Sequence, residues 1–447
     1  MLYFLASIYT IGSLVGSLTC GIWSSLLGRK KVMIIANLLS GSGFLFVRFA
    51  NNVELLYFGR LVGGLSFGLC FANIPPYTGE ISQSRVRKFT ATFMQTFYNA
   101  GFVTIFGLTT FLDWRTAIWI LLCFPCINIL TLSIIPESPT WLMTKNKENE
   151  SITALNSLRG NQGIALGEMD RIKHNLTKQK ELSMKDSNSS FVKDKLNILC
   201  KGTFIRPFLV VTTLLTLCWH LTGGIVLGFY AIDILEGIKI PMDTYWAAFM
   251  IACFQLFSAI VANIISSVLP RRKLFIGCGI LEVIGTLILG TMVYLYRQEY
   301  FVEFIKDYSF IKWIPMVGIL CFYGGYFGGY VTVTFILMGE LLPSNARSIG
   351  ASMASACSIL SMFLVVKFMP VLKESIGLDG CFWFFSGATF CSLIFCYVFV
   401  PETFGKTLES IEDHYREICY GSKICPKTSH FNPVFTHPDD SNCITKL

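Results

Sequence analysis

The stretch TGEISQSRVRK at residues 78–88 returns in changed form as MGELLPSNARS at residues 338–348, each closing a long apolar run. Glu80 is followed seven residues later by Arg87, and Glu340 by Arg347. Two more echoes flank this one: Gly28-Arg29-Lys30 answers Pro270-Arg271-Arg272, and Pro136-Glu137-Ser138 answers Pro401-Glu402-Thr403. The successive offsets are 242, 260 and 265 residues, so order is kept while loop lengths vary. Any one of these is an ordinary membrane-edge charge pattern. Three in order imply an internal duplication, of the kind in which two helical halves rock about a site between them and expose it to each side in turn. Glu and Arg side chains held at one poorly solvated edge could then pair between the halves in one state and part in the other.

Composition agrees. The chain has 447 residues, of which 53% are hydrophobic and only 14% charged, with a mean hydropathy of +0.58. One soluble core could not bury so much apolar surface. Apolar runs long enough to cross a bilayer of about 30 Å as helices fall near 4–26, 32–50, 54–74, 90–111, 116–135, 206–231, 244–268, 273–296, 311–338, 350–371 and 380–400. Lys and Arg collect in alternate loops: Arg29 to Lys31, Arg85 to Lys88, Arg271 to Lys273, Arg347, and eleven more in the segment 143–205. The positive-inside rule makes that side cytoplasmic, with Met1 outside and the C-terminus inside. The sequons at Asn149, Asn175 and Asn188 are then cytoplasmic and expected to carry no glycan. Residues 1–28 lack a basic leader region and do not read as a cleavable signal. The net charge of +8 belongs to short loops and builds no basic-aromatic face, so nucleic acid is not an expected partner. Several of the sixteen cysteines, Cys70, Cys123, Cys126, Cys253 and Cys391 among them, sit inside apolar runs as small hydrophobes, and no zinc spacing or disulfide framework appears.

GRLVGGLSFGLCFANIPPYTGEISQSRVRK (59–88), PESPTWL (136–142), MGELLPSNARS (338–348) and PETFGKTLESIE (401–412) resemble the sugar porters of the major facilitator superfamily, and among them the insect facilitated trehalose transporter-like branch. The resemblance runs from residue 4 to about 416. It implies an all-α membrane protein of two bundles, with about eleven of the family's twelve transmembrane helices. The expected divisions are an N-terminal bundle over 1–142, a cytoplasmic helical loop over 143–205, a six-helix C-terminal bundle over 206–402 and a cytoplasmic tail over 403–447. In the family a first helix precedes the segment matching residues 4–31. The expectation is a truncated gene model, with a natural short form as the alternative. The family's cytoplasmic gate maps onto Arg29, Arg60, Glu80, Arg87, Glu137, Arg271, Arg272, Glu340, Arg347 and Glu402. The acidic-basic pair usual before the first of these is Ser25 and Leu26 here, and Pro270 replaces a glycine.

A sugar site needs donors and acceptors at midplane depth with an aromatic face for the ring. Gln95, six residues before Gly101, matches the family's fifth-helix glutamine. The seventh-helix amides are replaced by Trp219 and His220, followed by Leu221 to Ile225. The eighth-helix asparagine becomes Gln255. In the tenth helix Val331-Thr332-Val333-Thr334-Phe335 keeps an aromatic shelf at Phe335 without the prolines. Ser358 and Met362 stand where asparagines are usual. Each amide lost forfeits roughly 0.5–1.5 kcal/mol of hydroxyl recognition. His220, inside a span, is expected to pack or hydrogen-bond, and proton coupling is left open.

The expected function is facilitative transport of trehalose or a hexose across the plasma membrane by alternating access, with no covalent chemistry and no cofactor. No G-x-x-x-x-G-K-[ST] loop points to an ATP-driven pump, and no nucleophile-base cluster to an enzyme. The alternatives are a carrier for another small organic solute, or a transport-dead sensor or scaffold acting through the 143–205 loop or the cysteine-bearing tail, where Cys419 is a weak palmitoylation candidate.

Overall fold

The computed structural model describes residues 2–83, 87–185, 202–238, 242–298, 309–342 and 347–406, with 410, 411 and 415. Asn188, Cys419, Cys425 and Cys443 lie outside the described residues, as do nearly all of the tail and the end of the 143–205 loop.

Among the described residues all regular structure is helical. The first half is built from α1 (Leu2–Leu27), α2 (Arg29–Arg48), α3 (Val53–Ile81), α4 (Arg87–Phe111) and α5 (Trp114–Ile134). Three helices of 6, 12 and 24 residues follow, the last two polar: α6 (Pro139–Thr144), α7 (Glu148–Arg159) and α8 (Gln162–Lys185). The second half opens with α9 (Gly202–Leu214), which widens into a π-helical segment Leu215–Leu221, and continues as α10 (Gly224–Phe229) and α11 (Ala231–Ile238). Then come α12 (Thr244–Ile265), α13 (Arg271–Arg297), α14 (Ile314–Gly325), a second π-helical segment Tyr326–Tyr330, α15 (Val331–Leu341) and α16 (Arg347–Phe399).

The boundaries have local causes. Asp113 caps α5 by accepting from the Arg115 amide (3.4 Å). Asp243 caps α12 through the amides of Tyr245 and Trp246 (3.0 and 3.2 Å). Both meet the need of a helix start for an oxygen acceptor. Gly28, at φ 101, turns the chain between α1 and α2, a backbone conformation that favours glycine. The expected spans 350–371 and 380–400 are two helices within Arg347–Phe399, parted by a kink at Gly377, whose backbone is not helical (φ 76, ψ 171). Nine described helices are long and apolar enough to cross a bilayer; with the kinked α16 counted as two and the 25-residue α4 added, they match the eleven apolar runs.

Within the first half α3 is the hub, packed on α1 and α2; in the second, α13 packs on α14 and α16. The halves meet along α4 with α12 and α1 with α16. The α1–α3 contact is closed by Gly12 and Gly16 against Gly64 and Gly68. A methyl group on Gly64 would lie 2.0 Å from the Tyr9 carbonyl oxygen, and one on Gly68 2.0 Å from that of Ser13. Small residues at four-residue spacing let two membrane helices meet backbone to backbone. Gly64→Leu and Gly68→Leu are each expected to destabilise the bundle by about 1–3 kcal/mol, the usual cost of overpacking. The check is loss of the monodisperse peak in detergent size-exclusion chromatography, with Gly79→Ala, where no atom lies within 4 Å, behaving as wild type.

Candidate functional site

The duplicated loops fold into two matching charge clusters at the basic end of the bundle. In the first, Glu137 accepts hydrogen bonds from the main-chain amides of Arg29 (2.9 Å), Lys30 (3.0 Å) and Ser138 (2.9 Å). Its carboxylate thus sits at the N-terminus of α2, where free amides and the helix dipole favour an anion. Arg29 reaches Glu80 at 3.4 Å and the oxygens of Ser24 at 3.1 and 2.7 Å. Ser138 donates a short hydrogen bond to Glu80. In the second cluster, Glu402 accepts from the amides of Arg271 (3.0 Å), Arg272 (3.2 Å) and Phe404 (3.0 Å) at the start of α13. Arg271 faces Glu340 at 3.8 Å and donates to the Ser266 carbonyl. Ser24 and Ser266 thus hold equivalent places, each five residues before its arginine.

Each cluster stays within its own half: the described ion pairs join no residue of one half to the other. The pairing between halves expected from the sequence is not the arrangement of this conformation among the described residues. Arg87 and Arg347 begin α4 and α16, but their side chains lie outside what the structure describes. Arg60 needs a correction. It was expected at the gate, yet it lies near the start of α3, about 30 Å along the helix from Glu80 at 1.5 Å per residue. There it is exposed and lines a cavity instead.

The polar helices dock on the first cluster. Arg159 of α7 pairs with Glu168 of α8 at 2.7 and 2.9 Å, and its third nitrogen donates to the Ile81 carbonyl at the end of α3 (2.8 Å).

A cavity of about 700 Å³ lies between the halves. Its lining comes from the middle and the far, non-basic portions of the helices, so it opens away from the charge clusters. Most of the lining is aliphatic or aromatic; among its polar side chains are Arg60, Ser40, Thr109, Gln255 and four tyrosines, Tyr9, Tyr98, Tyr323 and Tyr326, with the indoles of Trp114 and Trp219. Tyr323 and Gln255 are within hydrogen-bonding reach. Below the cavity, toward the basic end, an aromatic cluster crosses the boundary of the halves. Phe71 of α3 lies 5.2 Å from Trp219 between ring centres, and Trp219 meets Phe335 edge-on at 5.0 Å. Phe67 stacks on Phe71 at 5.6 Å.

The sequence-derived pocket residues are therefore divided. Trp219 and Gln255 line the cavity, and Phe335 belongs to the aromatic cluster beneath it. His220 and Ser358 are fully enclosed and bond to each other at 2.8 Å across α9 and α16. Gln95 is buried on α4 and is not among the lining residues. Sequence reasoning missed Tyr9, Tyr98 and Tyr323, which read as ordinary aromatics of apolar runs. It also passed over Glu282, the sole acid in the run 273–296.

The model of the family described as "Sugar (and other) transporter" matches residues 2–415. The facilitated trehalose transporter Tret1 of Apis mellifera ligustica is 27% identical over 415 residues, 93% of this chain and 80% of that protein. Its counterpart from Anopheles gambiae is 27% identical over 405 residues, and there the match spans 91% of this chain but about half, 49%, of the relative. Among solved structures, the proton:xylose symporter XylE bound to 6-bromo-6-deoxy-D-glucose superposes with a TM-score of 0.72 at 19% identity, covering 92% of this chain and 89% of the other. The human organic anion transporter MFSD10 gives 0.57 at 14% identity, covering 88% and 83%.

Proposed function

We propose, from the premise that this chain belongs to the sugar (and other) transporter family and has the fold of the major facilitator superfamily, that it is a facilitative carrier for a small carbohydrate, trehalose before a hexose. The observation that carries the reading is the cavity between the halves, about 700 Å³, within the range for one small ligand, closed toward the basic end by Phe71, Trp219 and Phe335. Taking the basic end as cytoplasmic, this conformation faces outward. A solute enters from outside, meets Gln255, Tyr323 and the Trp219 ring near the midplane, and leaves when the aromatic cluster parts. The gate residues at the basic end, Arg29, Glu80, Glu137, Arg271, Arg272, Glu340 and Glu402, hold each half rigid during the exchange. The divisions 1–142, 143–205, 206–402 and 403–447 are kept as bundle, loop, bundle and tail, and the plasma membrane as the site of action. Trehalose is favoured by the described activity of the curated relatives.

The lining favours one second reading. A cavity this rich in Phe and Tyr with one amide suits a less hydroxylated organic solute than a disaccharide. Surface-corrected uptake of labelled trehalose and glucose in cells expressing the chain separates the two. Saturable trehalose uptake is expected, falling roughly tenfold in efficiency in Gln255→Ala, about the worth of one lost hydrogen bond. No uptake of either sugar despite surface expression would select the second reading.

A further inference from the structure

Glu282 lies near the middle of α13, wholly enclosed, and takes no part in the site described above. Neither carboxyl oxygen receives a hydrogen bond. The hydroxyls of Thr222 and Thr389 face it from the end of the α9 π segment and from α16. Both are committed elsewhere: Thr222 donates to the Cys218 carbonyl (3.1 Å) and Thr389 to the Phe385 carbonyl (2.9 Å). The titratable groups nearest the carboxyl are Cys218, Cys278, Tyr326 and Tyr330, thiols and phenols that bring no positive charge, with Cys396 beyond Cys218. No cation faces it among the described residues. The basic residues of its own helix, Arg271, Arg272, Lys273 and Arg297, are about 14 to 22 Å away along the axis, and Arg271 and Arg297 are paired with Glu340 and Asp379. His220 in the neighbouring π segment turns to Ser358. An acid placed at this depth in a membrane is costly and marks an ion or proton path.

Its position is as telling as its isolation. Thr222 precedes Gly223 (φ 90), where α9 breaks into α10. On the opposite side Gly325, the last residue of α14, packs directly on Glu282: a methyl group there would lie 2.7 Å from the Glu282 amide nitrogen. The second π segment begins at the next residue, and Tyr326 ties the two breaks together by donating to the Trp219 carbonyl (2.8 Å). In many secondary transporters built from repeats, interrupted helices near the midplane hold the coupling ion.

We infer that Glu282 is a proton-binding site that links the shape of the two interrupted helices to pH. With both threonine hydroxyls donating to carbonyls, their oxygens are free to accept, and a carboxylic acid O–H supplies the missing donor. When the site opens to water, that O–H bond breaks and the proton passes to water. The hydroxyls of Thr222 and Thr389 then turn to donate to the carboxylate. That turn releases the Cys218 and Phe385 carbonyls, so the π segment can reset its register. Exchange between the outward and inward states is slowed or sped by pH accordingly, an inference that rests on the carrier reading for its transport arm only.

Two measurements on the full-length chain test this. The first needs no solute: infrared difference spectra of the reconstituted protein between acidic and alkaline buffer should show the C=O band of a protonated carboxylic acid, lost in Glu282→Gln, shifted in Glu282→Asp and kept in His220→Gln. The second is labelled trehalose and glucose exchange across vesicles at the same two pH values, where wild type and His220→Gln should differ at least threefold between them and Glu282→Gln should not. Retention of the band in Glu282→Gln, or a pH profile in that variant equal to wild type, overturns the inference while leaving the carrier intact. If no sugar is exchanged by any form, the carrier reading for these sugars falls, and the infrared band alone decides the proton site.

Discussion

Replacing Glu137 and Glu402 by alanine is expected to lower stability by about 3–5 kcal/mol at each position, and the two losses are expected to add. Each carboxylate accepts three main-chain amides at the start of a membrane helix and the turn that precedes it or follows the last span. A hydrogen bond to a charged group contributes about 1.5–3 kcal/mol, and an anion at a helix N-terminus about 0.3–1 kcal/mol more. Alanine removes these bonds, and water at the partly exposed membrane edge takes up part of the freed amides, which leaves a net loss of about 3–5 kcal/mol. Glutamine keeps one acceptor oxygen and is expected to cost less than half as much. Apparent unfolding midpoints in detergent, ranked across the single and double variants, provide the check. Additivity within about 0.5 kcal/mol is the expectation for sites without shared partners. It follows from each cluster closing within its own half. Strong non-additivity would mean that the two halves are coupled through these charges in the resting state, contrary to the arrangement described here.

The clusters were legible because their chemistry is local. Arg29 and Glu137, or Arg271 and Glu402, sit at loop ends where a charge has few places to go, and a duplicated motif implies a duplicated contact. The apolar runs were legible for the same reason, since a span of twenty residues has one solution in a bilayer. What could not be read depends on tertiary contact. The π segments at Leu215–Leu221 and Tyr326–Tyr330 have no proline or charge within them; the paired glycines Gly223-Gly224 and Gly328-Gly329 mark a break, but which register the chain takes there depends on the helices packed against it. Arg60 was placed at the wrong end because it was matched as one letter of a motif rather than counted along α3 from Glu80. The lining of the cavity departs from the expected pocket for a related reason. Gln95 and Ser358 stand where the family resemblance implies polar contacts, whereas the cavity draws phenols from Tyr9 of α1, Tyr98 of α4 and Tyr323 of α14. Glu282 carries a plain signal in the sequence, a single acid within the apolar run 273–296, though it belongs to none of the motifs that carry the family resemblance.

Trp219→Ala is expected to shift the carrier away from the outward-facing arrangement by roughly one to two orders of magnitude. Trp219 is the middle ring of the cluster that closes the basic end, touching Phe71 from the first half and Phe335 from the second. Specific ring pairings contribute about 0.5–1.5 kcal/mol each beyond burial, and both are lost together. Phe335 also reaches Phe71 at 6.4 Å, so Phe71 carries both contacts across the boundary, and truncating Trp219 removes the shorter of them together with the ring on which Phe335 rests. At 1.4 kcal/mol per factor of ten, a loss of about 1–3 kcal/mol moves a two-state equilibrium by a factor of about 5 to 150. The readout is backbone hydrogen–deuterium exchange of the α3 peptide that carries Phe71, followed by mass spectrometry. Its exchange rate should rise with the fraction of molecules open on the basic side. Phe335→Ala should raise it less, and Phe390→Ala, an exposed ring on α16 outside the cluster, should leave it unchanged. Equal rates in wild type and Trp219→Ala would mean that the closure is made elsewhere, and the three rings would then be packing alone.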